Sequence, residues 1–130
     1  MSDTKEEIQK LADHWIESLK ARNVDALLEH YADDVVAFDV PPPHSVTGKA
    51  AIRRNIENWL NMFKGPIDVE IKEAEIEASG ELAILRQHAR VSDRAKGKES
   101  GMWVRATVCY RKQGEKWLVI HEHTSIPAGM

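Results

Sequence analysis

Apolar residues in this chain recur with a helical period up to Gly65-Pro66 and with a period of two after it. Helices gathered in one half and strands in the other predict an α+β fold rather than alternating βαβ units. Asp3 followed by Glu6 is a capping-box variant, and behind it Ile8, Leu11, Trp15, Ile16 and Leu19 share a face, predicting a first helix over residues 4–22. Asn23 can cap a short second helix carrying Val24, Leu27, Leu28 and Tyr31, which Asp33-Asp34 break. Residues 35–40 are β-rich and read as a strand, stopped by Pro41-Pro42-Pro43 because proline cannot donate to a ladder; a loop then runs to Gly48. From Lys49, the residues Ile52, Ile56, Trp59, Leu60 and Phe63 predict a third helix.

In the second half, Val69 and Ile71 alternate with charge, the phase slips at Lys72-Glu73, and it resumes as Ala74, Ile76 and Ala78. One extra residue in a regular strand predicts a β-bulge, and bulges bend sheets. Turns at 79–81, 94–101 and 113–115 separate strands over 82–92, 102–112 and 116–126, an antiparallel meander of consecutive hairpins. Within 102–110, one face carries Met102, Val104, Ala106, Val108 and Tyr110, and the other carries Trp103, Arg105, Thr107 and Cys109, so neither is a plain solvent face. Helices can cover only one side of such a sheet. A homodimer through the sheet is the economical reading, although a self-covered barrel would show the same pattern.

The 130 residues fit a single domain, 1–130. A net charge of −3 gives no electrostatic footprint for nucleic acid. The apolar runs are too short to span a bilayer, and the opening Met-Ser-Asp-Thr-Lys-Glu-Glu is too acidic for a signal peptide, so no membrane partner and a cytoplasmic location are expected. Cys109 is the only cysteine, which excludes an intramolecular disulfide or a cysteine metal cage and reads as a small buried hydrophobe.

Several polar residues interrupt apolar stretches. Asp39, between Phe38 and Val40 and just before the prolines, would have its pKa raised by desolvation if buried, which suits a general base near neutral pH; the competing reading is a turn cap. His121 and His123, two apart on a strand, are expected on one face with Trp117, Val119 and Ser125, where with Arg105, Thr107 or His88 they would wall a pocket for an acidic or carbonyl compound. A metal site on the pair would need a third ligand, and none follows His123, so no metal is predicted. Arg105, alternating within an apolar strand, would if buried need a counter-charge from Asp39, Glu122 or a ligand. His14 and His30 are expected at the surface, and His44 near a pocket mouth. No phosphate-binding glycine loop, nucleophile-elbow serine or Cys-x-x-Cys occurs.

Tyr31-Ala32-Asp33-Asp34, the short strand, the proline loop and Gly48-Lys49-Ala50-Ala51-Ile52-Arg53, together with the closing Trp117-Leu118-Val119-Ile120-His121-Glu122-His123-Thr124-Ser125-Ile126-Pro127, resemble the SnoaL-like and ketosteroid isomerase-like branch of the nuclear transport factor 2-like superfamily. The resemblance implies three N-terminal helices packed in a strongly bent, mixed but mainly antiparallel sheet, a cone-shaped barrel or cystatin-like roll with a pocket at its open end. It also implies cofactor-independent proton transfer on an apolar carbonyl compound, of the isomerase, polyketide cyclase or dehydratase type, with Asp39 as base and His121, His123 or Arg105 polarising the carbonyl. The family's enolate donors are a helix-one tyrosine and a late-strand acid. Here the first position holds Trp15 and the second falls near Thr107, both weaker donors, while Trp15 and Tyr31 would line the pocket. The alternative within the same fold is a noncatalytic module that binds a hydrophobic ligand or mediates assembly.

Overall fold

The computed structural model of the protein describes Asp3–Ala128; Met1 and Ser2 of the acidic opening segment, and Gly129 and Met130, lie outside the described residues. Helix α1 (Thr4–Lys20) starts at Asp3, whose carboxylate accepts the Lys5 N–H at 3.1 Å. Of the stripe expected from spacing, Ile8 and Leu19 are buried and Leu11, Trp15 and Ile16 half-buried, with Ala12 buried beside them, and the helix packs on β3 (Ile67–Ser79). The helix stops at Lys20 because Arg22 adopts a left-handed φ of 57°. Arg22's guanidinium then donates to the carbonyls of Leu60, Phe63 and Gly65 at 3.1, 3.4 and 2.8 Å, satisfying groups that the end of α3 leaves open. Helix α2 (Val24–Leu28) is capped by Asn23, which accepts the Ala26 N–H at 3.1 Å. Helix α3 (Lys49–Leu60) buries Ile52, Ile56 and Leu60.

The strands are β1 (Tyr31–Phe38), β2 (Ser45–Thr47), β3 (Ile67–Ser79), β4 (Leu82–Asp93), β5 (Trp103–Gln113) and β6 (Lys116–Ser125). They form one six-stranded sheet in the order β2-β1-β6-β5-β4-β3, which does not close. The antiparallel meander runs from β3 to β6, and β1 joins it in parallel beside β6. Two differences from the sequence expectation bear on the site. Tyr31, assigned above to the second helix, already belongs to β1, opposite Val119. The proline loop carries β2, which pairs with β1 through Val36–Thr47 and Phe38–Ser45.

Two bulges shape the sheet. Lys72 pairs with His88 and Glu75 with Arg86, so one residue is extra at the expected place, and Glu73 takes a φ of 56°. The second bulge was not foreseen: Cys109 pairs with His121 but Tyr110 pairs with Val119, leaving Ile120 out of register. Residues on β6 therefore exchange faces at Ile120. Trp117 and Val119 point into the core beside Tyr110, and beyond the bulge Glu122, opposite Val108, takes the inner face. His121 and His123, opposite Cys109 and Thr107, lie on the outer face, which corrects the expectation that they share a face with Trp117 and Val119.

Candidate active site

The inner face of β1 carries the buried Val35 and Ala37, and Asp39 continues the alternation at the strand's end. Ala37 pairs with Glu122 on β6, so the two carboxylates lie on one inner surface and act on each other. Part of Glu122's surface is open, but its carboxyl is shut away from water, and this burial pushes its pKa up to about 7. The Tyr31 hydroxyl bonds to it and opposes the rise, while the charge of Asp39 adds to it. Asp39 is half-buried; desolvation raises its pKa, opposed by the Val40 N–H, which donates to it at 2.7 Å.

Tyr31 is 2% exposed and links this pair to α1. Its hydroxyl accepts the Trp15 indole N–H at 3.2 Å, and an indole nitrogen can only donate, so the Tyr31 proton is left for Glu122. Burial and the nearby Glu122 raise the pKa of both Tyr31 and Tyr110, which keeps the two phenols protonated as donors. No ion pair to Asp39 or Glu122 occurs among the described residues. An unpaired, desolvated carboxylate pair beside a hydroxyl can accept, hold and return a proton near neutral pH.

Of the residues singled out in the sequence, Asp39, Trp15 and Tyr31 are placed around this pair. Glu122, named above only as a counter-charge for Arg105, joins them; its inward position follows from the bulge, which the unbroken apolar run Trp117-Leu118-Val119-Ile120 does not mark. Arg105, expected to be buried, is exposed on the outer face between His88 and Ser125, so it needs no counter-charge, and it makes no ion pair among the described residues. Thr107 is half-buried on the same face, opposite His123. His121 Nδ1 lies 2.6 Å from the Val36 carbonyl, which can only accept, so this nitrogen carries the proton. Phe38 stands edge-on to both imidazoles, at 4.8 Å from His121 and 5.7 Å from His123. Cys109 is half-buried beside them, and burial pushes its thiol pKa up, away from reactivity. Among the described residues no three His, Cys, Asp or Glu side chains come together as a metal set.

Two surface clefts lie elsewhere. One, of about 260 Å³, separates Lys5 and Gln9 on α1 from Ala74 and Ile76 at the β3 bulge; the other, of about 230 Å³, is lined by Glu29, Asp33, Lys49 and Lys116 and reaches Tyr31. Neither brings Asp39 and Glu122 to its wall, and the chemistry points to the inner face instead.

His30, expected at the surface, is 5% exposed, because it sits where the chain turns from α2 into β1. Desolvation, then the neighbouring His14, lowers its pKa to about 4, with Glu29 opposing. The folded state therefore binds fewer protons at His30 than the unfolded chain does between the ordinary imidazole value and about 4. Stability from this group is full above about 6.5 and is lost as pH falls to about 4. Urea unfolding followed across that interval should show the loss, and His30→Gln should reduce its pH dependence.

Residues 8–129 match the SnoaL-like domain family. The chain belongs to the SnoaL-like family. No curated protein matches this SnoaL-like chain significantly. Among solved structures, it is similar to an NTF2-like protein of unknown function from Pseudomonas putida KT2440, with 34% identity over 98% of this chain and 89% of that one, at a TM-score of 0.90. A protein from Parabacteroides distasonis, provisionally described as a ketosteroid isomerase, shares the fold at 17% identity and a TM-score of 0.70, covering 88% of this chain and 83% of that one. So does a protein from Xanthomonas campestris, provisionally described as a calcium/calmodulin-dependent protein kinase II association domain, at 22% identity and a TM-score of 0.81, over 95% of this chain and 88% of that one. No helix among the described residues of this SnoaL-like chain is long and apolar enough to cross a membrane.

Proposed function

We propose that this SnoaL-like protein is a cofactor-independent proton-transfer catalyst acting on an apolar carbonyl compound, with Asp39 as base and Glu122 as the acid that steadies the enolate oxygen. The observation that carries this reading is the pair of desolvated carboxylates on one inner surface, one of them poised near neutral pH beside the Tyr31 hydroxyl. Asp39 takes the proton from carbon next to the carbonyl, the C–H electrons form the enolate double bond as the carbonyl π pair moves onto oxygen, and protonated Glu122 donates a hydrogen bond to that oxygen. Asp39 then returns the proton to the same or a conjugated carbon, so atoms balance without a co-reactant. Glu122 takes the role that the resemblance gives to a late-strand acid and that the sequence alone put near Thr107. Trp15 and Tyr31 would line the substrate's path. The assay is exchange of α-hydrogen for deuterium in a panel of apolar ketones in heavy water; the absence of exchange across the panel would leave the noncatalytic reading in place.

The same reading assigns the outer face to a second copy of the chain. Phe38 on β1 and Leu82 and Ile84 on β4 are 44%, 50% and 42% exposed there, and the two strands between them, β6 and β5, present His121, His123, Arg105 and Thr107 outward. A homodimer at micromolar concentration is expected, and light scattering that finds a monomer at high concentration would refute it. A noncatalytic assembly module is the second reading. It is favoured by the similarity to the Xanthomonas association-domain structure and by the way the Trp15–Tyr31 bond occupies the interior.

A further inference from the structure

Two contacts, one residue apart, tie α1 to the segment that enters β1. His14 Nδ1 meets His30 Nε2 at 2.8 Å, and Trp15 Nε1 meets the Tyr31 hydroxyl at 3.2 Å, so residues 14 and 15 face residues 30 and 31 as successive rungs. The first rung is a shared proton rather than a place for a metal. Its ring centroids are 5.0 Å apart and its nitrogens 2.8 Å, a difference of about two ring radii, so the lone pairs point at each other and do not converge on a third atom. His30 is held on both sides by its backbone: its N–H donates to the Leu27 carbonyl at 3.2 Å, and its carbonyl accepts the Val119 N–H at 2.7 Å. The titratable groups acting on it are His14 from α1 and Glu29 beside it; β6 reaches it through the Val119 amide. The rung persists when one imidazole is protonated, because a cationic ring still donates to a neutral one, and it fails only when both rings are cations.

We propose that His14 and His30 are positioning residues for the buried acid: their bond pins α1 against the start of β1, so that the Tyr31 hydroxyl, held from behind by Trp15, stays aimed at Glu122. Its meaning for catalysis rests on the function proposed above, whereas its test reads a titration and needs no turnover. The Tyr31 hydrogen bond favours charged Glu122, so loosening it raises the midpoint at which Glu122 ionises.

Carboxyl carbon-13 NMR of Glu122 is the readout, in the wild type and in His14→Leu, His14→Gln, Tyr31→Phe and the double variant His14→Leu/Tyr31→Phe. His14 is exposed on α1, so its substitution leaves the core intact. Tyr31→Phe should raise the midpoint by about 0.5–1 pH unit, the scale of one net hydrogen bond. His14→Leu should give much of that rise, His14→Gln should restore the wild-type value by keeping a hydrogen bond to His30, and the double variant should match Tyr31→Phe alone. A lower melting temperature of His14→Leu with an unchanged midpoint would make the pair merely structural. A His14→Leu rise that adds in full on top of Tyr31→Phe would show that the pair does not act through Tyr31. Should His14→Leu fail to fold, His14→Ala carries the same outcomes.

Discussion

Asp39→Asn should slow deuterium exchange by about a hundredfold or more while leaving ligand affinity little changed, because the amide keeps the size of the carboxylate but cannot take a proton. The stability of the variant separates this role from a structural one. Asp39 has no ion-pair partner among the described residues, and Arg105, the cation for which the sequence offered it as a counter-charge, stands on the opposite face of the sheet. Removing the charge therefore strands no buried cation, and Asp39→Asn should unfold no more readily than the wild type at pH 7, and even slightly less, because a neutral amide is cheaper to bury. Since the folded pKa is raised above that of the unfolded chain, the wild type carries a cost once pH exceeds the unfolded value, and Asn removes it. Full exchange activity in the variant, together with a clear loss of stability in urea, would make Asp39 a structural residue.

Glu122→Gln should have the larger effect on stability. The folded carboxyl holds its proton up to about 7, whereas the unfolded one releases it near 4.5, so the folded state binds more protons between those values and stability falls as pH rises through them. The full interval corresponds to a net cost of up to about 3 kcal/mol above pH 8, which would be larger still without the opposing contribution of Tyr31. Glutamine keeps an acceptor for Tyr31 and has no charge to desolvate. Its unfolding free energy should therefore exceed that of the wild type at pH 8 and converge with it near pH 4, the difference between the two growing as pH rises through that interval. Catalysis should move the opposite way. The neutral amide can still donate a hydrogen bond to the enolate oxygen, so exchange should fall by about tenfold rather than vanish, and the limb of the rate profile near pH 7 should disappear. A wild-type rate profile that is flat from pH 6 to 8, with Glu122→Gln no more stable than the wild type at pH 8, would remove Glu122 from the site.

These two variants differ in how far their residues could be read from the sequence. Asp39 was legible because a single charge in an apolar strand before three prolines has few explanations, and its inward direction follows from the alternation of Val35 and Ala37. The helices were legible for the same kind of reason: the stripe of Ile8 and Leu19 and the caps at Asp3 and Asn23 are local signals, and the structure places α1 and α2 on them within a few residues. The bulge at Lys72-Glu73 was readable too, since charge and apolar residues alternate on either side and the slip stands out.

The α+β layout, the meander and the family were legible from the chain alone, because periodicity, turn residues and motif order are properties of neighbours along it. Which face each residue of β6 occupies came from the folded sheet, since pairing across strands and not the chain's own rhythm sets register, and one extra residue at Ile120 reverses every side chain beyond it. That reversal sends His121 and His123 outward and brings Glu122 in to Asp39 and Tyr31. Likewise His30 and Arg105 exchanged their expected environments, one buried and one exposed, because burial depends on what packs from elsewhere in the chain. The pKa of Glu122 has the same origin: a carboxyl carries no mark in sequence of the water it will lose, and desolvation by residues distant along the chain is its largest cause.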